Sequence, residues 1–228
     1  QEIKKYNISS EIKLENWVFR DYQVELLQKA LKAKRGIVKS ATGSGKTSLM
    51  AYLVSVFKDQ NVIILFNQKQ LLVQCYDFLT KQLGMKNIGL AYGEGFIESN
   101  IMLCTVQSLH KIIGTPVERP DVLIVDEVHE FGSGGFNTKV IHSFPSASYR
   151  FGFTATVPSD NIKLFNIEGA FGPVISSVST QELIEQGYLA KPHIKVINVN
   201  YDPSSLINLE YKTAYQNLIV TGSVRNNL

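Results

Sequence analysis

Cysteine is scarce: the chain of 228 residues has two, Cys75 and Cys104, far apart and without a CxxC partner. That argues against a disulfide-stapled scaffold and a cysteine metal site, and leaves buried free thiols in a reducing compartment as the expectation. No apolar run approaches the ~20 residues of a membrane span, and the start carries no signal-peptide pattern, so no membrane partner is expected. Charge of one sign is also in short supply. Lys and Arg number 23 against 20 Asp and Glu, a net charge of +3, so any nucleic-acid site must come from local placement of charge. His110, His142 and His193 lack metal-ligand spacing and read as satisfied surface or core imidazoles. Repeats and low-complexity tracts are missing. The chain begins with Gln in place of Met, so a trimmed front is expected.

What is present reads as an ordinary globular protein, 44% hydrophobic and 19% charged, long enough for one large α/β domain with or without an appendage. Its organising stretch is Ser40-Ala41-Thr42-Gly43-Ser44-Gly45-Lys46-Thr47. A short β-branched strand (36–39) precedes it, and an apolar helix (48–57) follows. Strand, glycine loop and helix in that order form the context of a phosphate-binding loop. Gly43 and Gly45 let backbone N–H groups turn inward on phosphate oxygens, and the helix N-terminus adds partial positive charge. Lys46 would reach the β- and γ-phosphates of ATP, and the Thr47 hydroxyl would ligate Mg²⁺. Ser40 stands where the usual pattern opens with Gly or Ala.

Around that loop, helices and apolar strands alternate. A helix from Arg20 carries Tyr22, Leu26, Leu27, Ala30 and Leu31 on one face and is stopped by Gly36; its Lys32-Ala33-Lys34-Arg35 end reads as solvated. Strands are expected over 61–66, 88–92, 100–104, 121–125, 149–153, 174–178 and 193–199. Helices are expected over 70–83, closed by Gly84, then over 107–113, 136–143 and 206–220, with a short one after the capping box Ser179-Thr180-Gln181-Glu182. Residues 1–15 would form an edge strand or lead-in. Phe131 and Phe136, on either side of a glycine loop, are assigned to core packing ahead of the alternative, stacking on a base. The alternation predicts a parallel sheet covered by helices on both faces.

Asp126-Glu127 ends an apolar strand. In a phosphate-loop fold such a strand delivers a carboxylate beside the loop, so Asp126 can hold the Mg²⁺ shell and Glu127 can act as general base on the attacking water. The full run Asp126-Glu127-Val128-His129 resembles the DExH box of superfamily 2 helicases and translocases, and other stretches follow in that family's order. Arg20-Asp21-Tyr22-Gln23 resembles the motif ahead of the loop, which implies that Gln23 and Arg20 contact adenine. Thr105-Val106-Gln107-Ser108 resembles the T-x-Q-S motif that grips a nucleic-acid strand through Thr105, Gln107 and Ser108. Asn67 and Gln74 occupy a second strand-contacting motif, with Phe66 in place of its usual Pro. Thr154-Ala155-Thr156 resembles the motif that couples hydrolysis to movement, and His129 would join the nucleotide site to a second domain.

The resemblance covers roughly residues 18–200. It implies a RecA-like ATP-binding domain there, a lead-in over 1–17, and a connector with the start of a second motor domain over 201–228, where Thr221-Gly222-Ser223-Val224-Arg225-Asn226 stands. The stretch Phe171-Gly172-Pro173-Val174 together with Gly187-Tyr188-Leu189-Ala190-Lys191-Pro192 resembles the connector of UvsW-type branch-migration helicases, of XPB-type DNA unwinders and, less closely, of type I and III restriction translocases. The arginine-bearing Gln-x-x-Gly-Arg-x-x-Arg motif of the second motor domain is not found, so the chain is expected to be the first half of a longer protein. Implied with the family are ATP and Mg²⁺, single-stranded or branched DNA, a second RecA-like domain of the same chain, and a cytoplasmic location, in the bacterial host if the protein is phage-encoded. The resemblance implies an ATP-dependent DNA helicase or translocase acting in recombination, repair or replication. Two alternatives are a restriction-enzyme translocase subunit and, from another class, a phosphate-loop nucleotide switch or kinase without DNA coupling. Intact Lys46, Asp126 and Glu127 make a non-catalytic binding module the poorest fit.

Overall fold

Five of the expected apolar runs lie side by side in a computed structural model of the chain, which describes residue 14 and residues 17–195 and 210–216. β1 (Arg35–Ser40), β2 (Val62–Phe66), β5 (Ile101–Thr105), β6 (Val122–Val125) and β7 (Tyr149–Thr154) are joined by β3 (Gly89–Tyr92), β4 (Gly95–Ile97) and β8 (Val174–Val178) in one sheet, ordered β4-β3-β5-β2-β6-β7-β1-β8. All neighbours are parallel except β3 and β4, a hairpin that the sequence reading did not anticipate. Because the strands run one way, Ser40, Phe66, Thr105, Val125 and Thr154 all end at the same carboxyl edge.

Strand residues alternate between two cores, as period-two side chains must. Val62, Ile64 and Phe66 of β2 pack in one cluster with Leu27 of α1 (Asp21–Ala33), Leu49 and Leu53 of α2 (Lys46–Val56) and Leu72 of α3 (Lys69–Asp77). Ile63 and Leu65 pack in the other with Ile141 of α4 (Gly135–His142), Ile167 and Phe171 of α5 (Asn161–Phe171), and Ile112 and Phe131 of two 3-10 turns, Val106–Ile112 and Val128–Phe131. Helices therefore cover both faces, and central strands buried on both sides need no polar alternation. Cys75 and Cys104 are free and buried, one in each layer, and burial pushes the Cys104 thiol up to about 12.

Three local outcomes differ from the pattern reading. Gly36 does not stop α1. The helix ends at Ala33 with Lys34 at φ 63°, and Gly36 lies within β1, where an added Cβ would stand 2.4 Å from Ile175 Cγ2. The register there shifts: Ile37 pairs with Val174 and Val38 with Ser176, so Ile175 is the extra residue of a bulge and takes the space that glycine leaves. The expected helix over 70–83 loosens partway, α3 giving way to a π-helical stretch, Phe78–Gln82. α5 was not anticipated at all. It begins at Asp160, whose carboxylate accepts from the N–H groups of Ile162 (2.8 Å) and Lys163 (3.0 Å), but Ile162 and Phe165 are 74% and 75% exposed and blur its apolar stripe.

Arg150, buried at the start of β7, ties the ends of two helices to the sheet. Its guanidinium donates to the carbonyls of Ile141 (3.0 Å), Ala170 (3.3 Å), Ala147 (3.3 Å) and Phe144. The chain divides into a compact unit, Gln1–Ala190, and a second, Lys191–Leu228. In the second unit residues 191–195 have no regular structure, and a short helix, α7 (Tyr211–Tyr215), falls inside the expected 206–220 helix. Residues 1–13, the remainder of the expected 193–199 strand and the Thr221–Asn226 stretch lie outside the described residues. No helix among those described is long and apolar enough to cross a membrane.

Packing at the bulge predicts a compensating pair. Gly36→Ala alone should destabilise the fold by roughly 1–3 kcal/mol through overpacking, measured by urea unfolding, and Gly36→Ala with Ile175→Ala should recover most of that loss. Equal stability of the single variant and the parent would contradict the contact.

Candidate functional site

The phosphate-type loop is built between β1 and α2 as its residue types require. Gly43 (φ 79°) and Gly45 (φ 86°) take left-handed conformations, and Gly45 leads directly into the first turn of α2. The Ser40 and Ser44 hydroxyls, both buried, meet at 2.5 Å, so the serine that departs from the usual opening residue ties the loop's two limbs together. The Ser44 carbonyl accepts from the Tyr22 hydroxyl (2.7 Å) and from Gln23 Nε2 (2.8 Å). Gln23 Nε2 also stands 3.4 Å from Ser48 Oγ, and its carbonyl oxygen accepts from the Arg20 N–H at 3.0 Å. Both donors of Gln23 are thus turned to the loop. An added Cβ at Gly45 would lie 2.5 Å from Gln23 Nε2, a second reason for glycine there. Thr42 and Gly43 are exposed, while Gly45, Lys46 and Thr47 are half-buried.

β6 brings the acidic pair to this loop. Asp126 is 7% exposed, and Glu127 turns out of the strand at φ 48°, ψ 51°. Lys46 Nζ lies 3.0 Å from Glu127 Oε1. Burial first, then the Glu127 carboxylate, push the Asp126 carboxyl up to about 6, against the pull of Lys46 and of the Glu127 N–H at 3.0 Å. From Glu127 a polar chain crosses to β7. His129 Nδ1 is 3.3 Å from Glu127 Oε2 and 2.8 Å from Thr154 Oγ1, and Thr154 Oγ1 donates to the Thr156 carbonyl at 2.7 Å. With the threonine proton directed at Thr156, His129 Nδ1 must carry the hydrogen and donate to Thr154. Thr154 is buried, Ala155 half-buried and Thr156 exposed.

The arrangement fits a nucleoside triphosphate with Mg²⁺. A loop with two left-handed glycines at a helix N-terminus, together with Lys46, suits a polyphosphate, and the Thr47 hydroxyl with one carboxylate, Asp126, suits a cation that keeps water and phosphate oxygens in its shell. Among the described residues no group of three or more His, Cys, Asp or Glu gathers into an all-protein metal cage.

Asn67, just past β2, donates through Nδ2 to Glu130 Oε2. With Gln68, His129, Ser133, Thr156 and Lys163 these two line an open groove of 720 Å³ on the carboxyl edge. Thr105 stands beside Phe66 in register, yet its side chain and that of Ser108 are buried, and Gln74 and Gln107 are exposed. None of the four lines that groove. Glu130, Ser133 and Lys163 were missed in the sequence; the Asp160 cap was the available signal for Lys163, and the position next to His129 for Glu130. Phe131 is buried as assigned, but Phe136 is 64% exposed and belongs to no core.

Residues 16–159 match the family described as "Type III restriction enzyme, res subunit". The chain is 30% identical over 226 residues to the DNA 3'-5' translocase XPB2 of Sulfurisphaera tokodaii, with 93% of this chain and 49% of that protein covered. It is 22% identical over 218 residues to the ATP-dependent DNA helicase uvsW of Enterobacteria phage T4, covering 90% and 43%. The chain therefore spans about half the length of these curated relatives. Among solved structures, the Hef helicase domain of Pyrococcus furiosus aligns with TM-score 0.63 at 16% identity (90% of this chain, 48% of that one). The UvsW helicase of bacteriophage T4 aligns with TM-score 0.57 at 18% identity (69% and 59%). At such identities the likeness establishes the fold, the helix-covered parallel sheet that the alternation predicts and the RecA-like domain that the resemblance implies.

The raised Asp126 carboxyl yields a stability prediction. A carboxyl held above its ordinary 3.8 penalises the charged fold, so stability should rise as pH falls through about 6. Asp126→Asn removes the penalty. In EDTA at about pH 8 it should unfold later than the parent, by at most about 3 kcal/mol for a shift of about two units, and the gap should narrow below about pH 6. A less stable Asn variant at about pH 8 would overturn the electrostatics.

Proposed function

The chain belongs to the family of type III restriction enzyme res subunits, and from that membership we propose that it hydrolyses ATP to drive movement on DNA. Its fold is that of the first motor domain of superfamily 2 helicases. The observation that carries the proposal is the continuous polar chain from Lys46 through Glu127, His129 and Thr154 to Thr156, which links a phosphate loop to the groove.

In this reading Gly43, Ser44, Gly45 and Lys46 hold the β- and γ-phosphates, with Thr42 at the loop's rim, and Thr47 and Asp126 hold Mg²⁺, which when bound neutralises charge developing on the transferred phosphoryl group. Lys46 and Glu127 neutralise one another at 3.0 Å. A polyphosphate offers Lys46 a more highly charged partner and frees the Glu127 carboxylate to accept a proton from the attacking water. His129 then feels the change at Glu127 and passes it through Thr154, Ala155 and Thr156 to the groove that holds Asn67. Asn67 in that groove and the exposed Gln74 and Gln107 serve as neutral donors to a DNA backbone, single-stranded or branched, with the buried Thr105 and Ser108 shaping the edge behind them, and backbone contacts position without reading sequence. A second RecA-like domain supplies the arginine opposite the γ-phosphate, in keeping with relatives about twice this length. The motor acts in the cytoplasm and remodels branched or duplex DNA in recombination, repair or replication. The family's description favours a second reading, the translocase subunit of a restriction enzyme, which would share every residue role and differ in the nuclease it serves.

Lys46→Ala should reduce ATP turnover of a two-domain chain by ~10²–10³-fold, whereas Glu127→Gln should keep ATP bound while slowing hydrolysis; equal loss of binding in both would refute that division of roles. Residues 1–228 alone should show little DNA-stimulated ATPase and no unwinding, since opening and closing needs two domains. Turnover indifferent to DNA in the two-domain chain would favour a nucleotide switch.

A further inference from the structure

After α6 (Thr180–Glu185) the chain returns to the phosphate loop as a short strap, Gly187–Leu189, part of the stretch that carries the connector resemblance but so far without a role in the site. Gly187 reverses direction at φ 75°. The N–H groups of Tyr188 and Leu189 both donate to the carbonyl of the fully buried Leu183, at 2.8 and 3.0 Å. The strap is thereby pinned to the core, and Leu189 lies so near the loop that an added Cβ at Gly43 would stand 3.0 Å from its Cδ2.

Tyr188 meets the residues that open α1. The Arg20 guanidinium lies over its ring, 4.8 Å from the centroid, and the Tyr22 ring packs against it at 5.4 Å. Arg20 Nη1 donates to the Tyr22 hydroxyl at 3.2 Å, and that hydroxyl donates to Ser44 of the loop. Tyr188 remains 36% exposed. A guanidinium and a phenol ring, stacked together with the guanidinium tied through the Tyr22 hydroxyl to the Ser44 carbonyl, make a flat polarisable surface one side chain away from the phosphate site. Gln23, the residue first assigned to adenine, has both donors turned to Ser44 and Ser48.

We propose that Tyr188, with Arg20, forms the wall that takes the adenine ring of the bound nucleotide by stacking. The proposal rests on the reading of Ser40–Thr47 as an ATP phosphate site and adds to it a base-recognition residue from the far end of the domain. A ring stacked on an aromatic side chain is worth ~10-fold or more in affinity, and phosphates, held by the loop, gain nothing from Tyr188. Affinity for a nucleotide and for its phosphates alone should therefore separate in a Tyr188 variant.

Calorimetric titration of the 228-residue chain with Mg-ADP and with inorganic pyrophosphate makes that separation measurable. Tyr188→Ala and Tyr188→Leu should weaken ADP by ~10-fold with pyrophosphate unchanged, and Tyr188→Phe should bind ADP like the parent. Leucine keeps the apolar cover against Tyr22, so a shared loss in the Ala and Leu variants is due to the ring. Parental ADP affinity in both variants would overturn the proposal. So would an equal loss of ADP and pyrophosphate, which would make Tyr188 a support of the loop. Failure of the parent to bind either probe would overturn the phosphate-site reading, and this one with it.

Discussion

A loop that turns its N–H groups inward has to turn carbonyls outward, and a buried carbonyl without a partner is costly. Here the Ser44 carbonyl meets that constraint through the Tyr22 hydroxyl and Gln23 Nε2. The first turn of α1 is thus part of the phosphate loop, although twenty residues of helix and strand separate them. Arg20 donates its N–H to Gln23 and its guanidinium to Tyr22, which orients both partners of Ser44. The strap closes the same assembly from the other side, with Leu189 against Gly43. Loop, helix start and strap hold one another, so the loop's shape is set before any ligand arrives.

Two carboxylates placed side by side repel, and the fold keeps them apart by backbone rather than by distance along the chain. Asp126 stays in the line of β6 and is buried, while Glu127 leaves it in a left-handed turn and reaches Lys46 and His129. Their environments differ accordingly. The buried one is pushed up to about 6, whereas its neighbour has a cation at 3.0 Å. Adjacent residues of one chemical type thereby come to sit in different environments, which is what the separate roles proposed for them require. The parallel order of β1, β7, β6 and β2 sets loop, Thr154, acidic pair and Asn67 in a row along one edge, so a single line of contacts spans the site.

The central elements were legible because each is dictated by a contiguous stretch. A strand buried on both faces must be an apolar run, as Val62–Phe66 and Val122–Val125 are, and a phosphate loop must carry Gly43, Gly45 and Lys46 in fixed order. What was not legible depends on partners distant in sequence. Gly36 looked like a helix stop because nothing local announces Ile175. The bond that Gln23 makes to the Ser44 carbonyl was equally hidden, because nothing local announces that partner. α5 escaped because exposed Ile162 and Phe165 scramble its periodicity, and the β3–β4 hairpin because so short an edge strand needs little pattern. Phe136 shows the limit of composition from the other direction: an aromatic beside glycines reads as core, and the backbone of Gly134 and Gly135 instead carries it to the surface.

The bulge at Ile175 bears on how the domain takes mechanical load. Among the described strands β8 is an edge strand paired with β1, and its pairing contains one residue more than the ladder needs. Pulled along its length, a regular pair of strands must break hydrogen bonds from the first ångström. A bulged pair first straightens, lengthening by up to one residue's rise, ~3.3 Å. The slack lies on the path from the sheet to α6 and the strap, so a small tug toward the carboxyl terminus is absorbed in β8 while the phosphate loop on β1 keeps its shape.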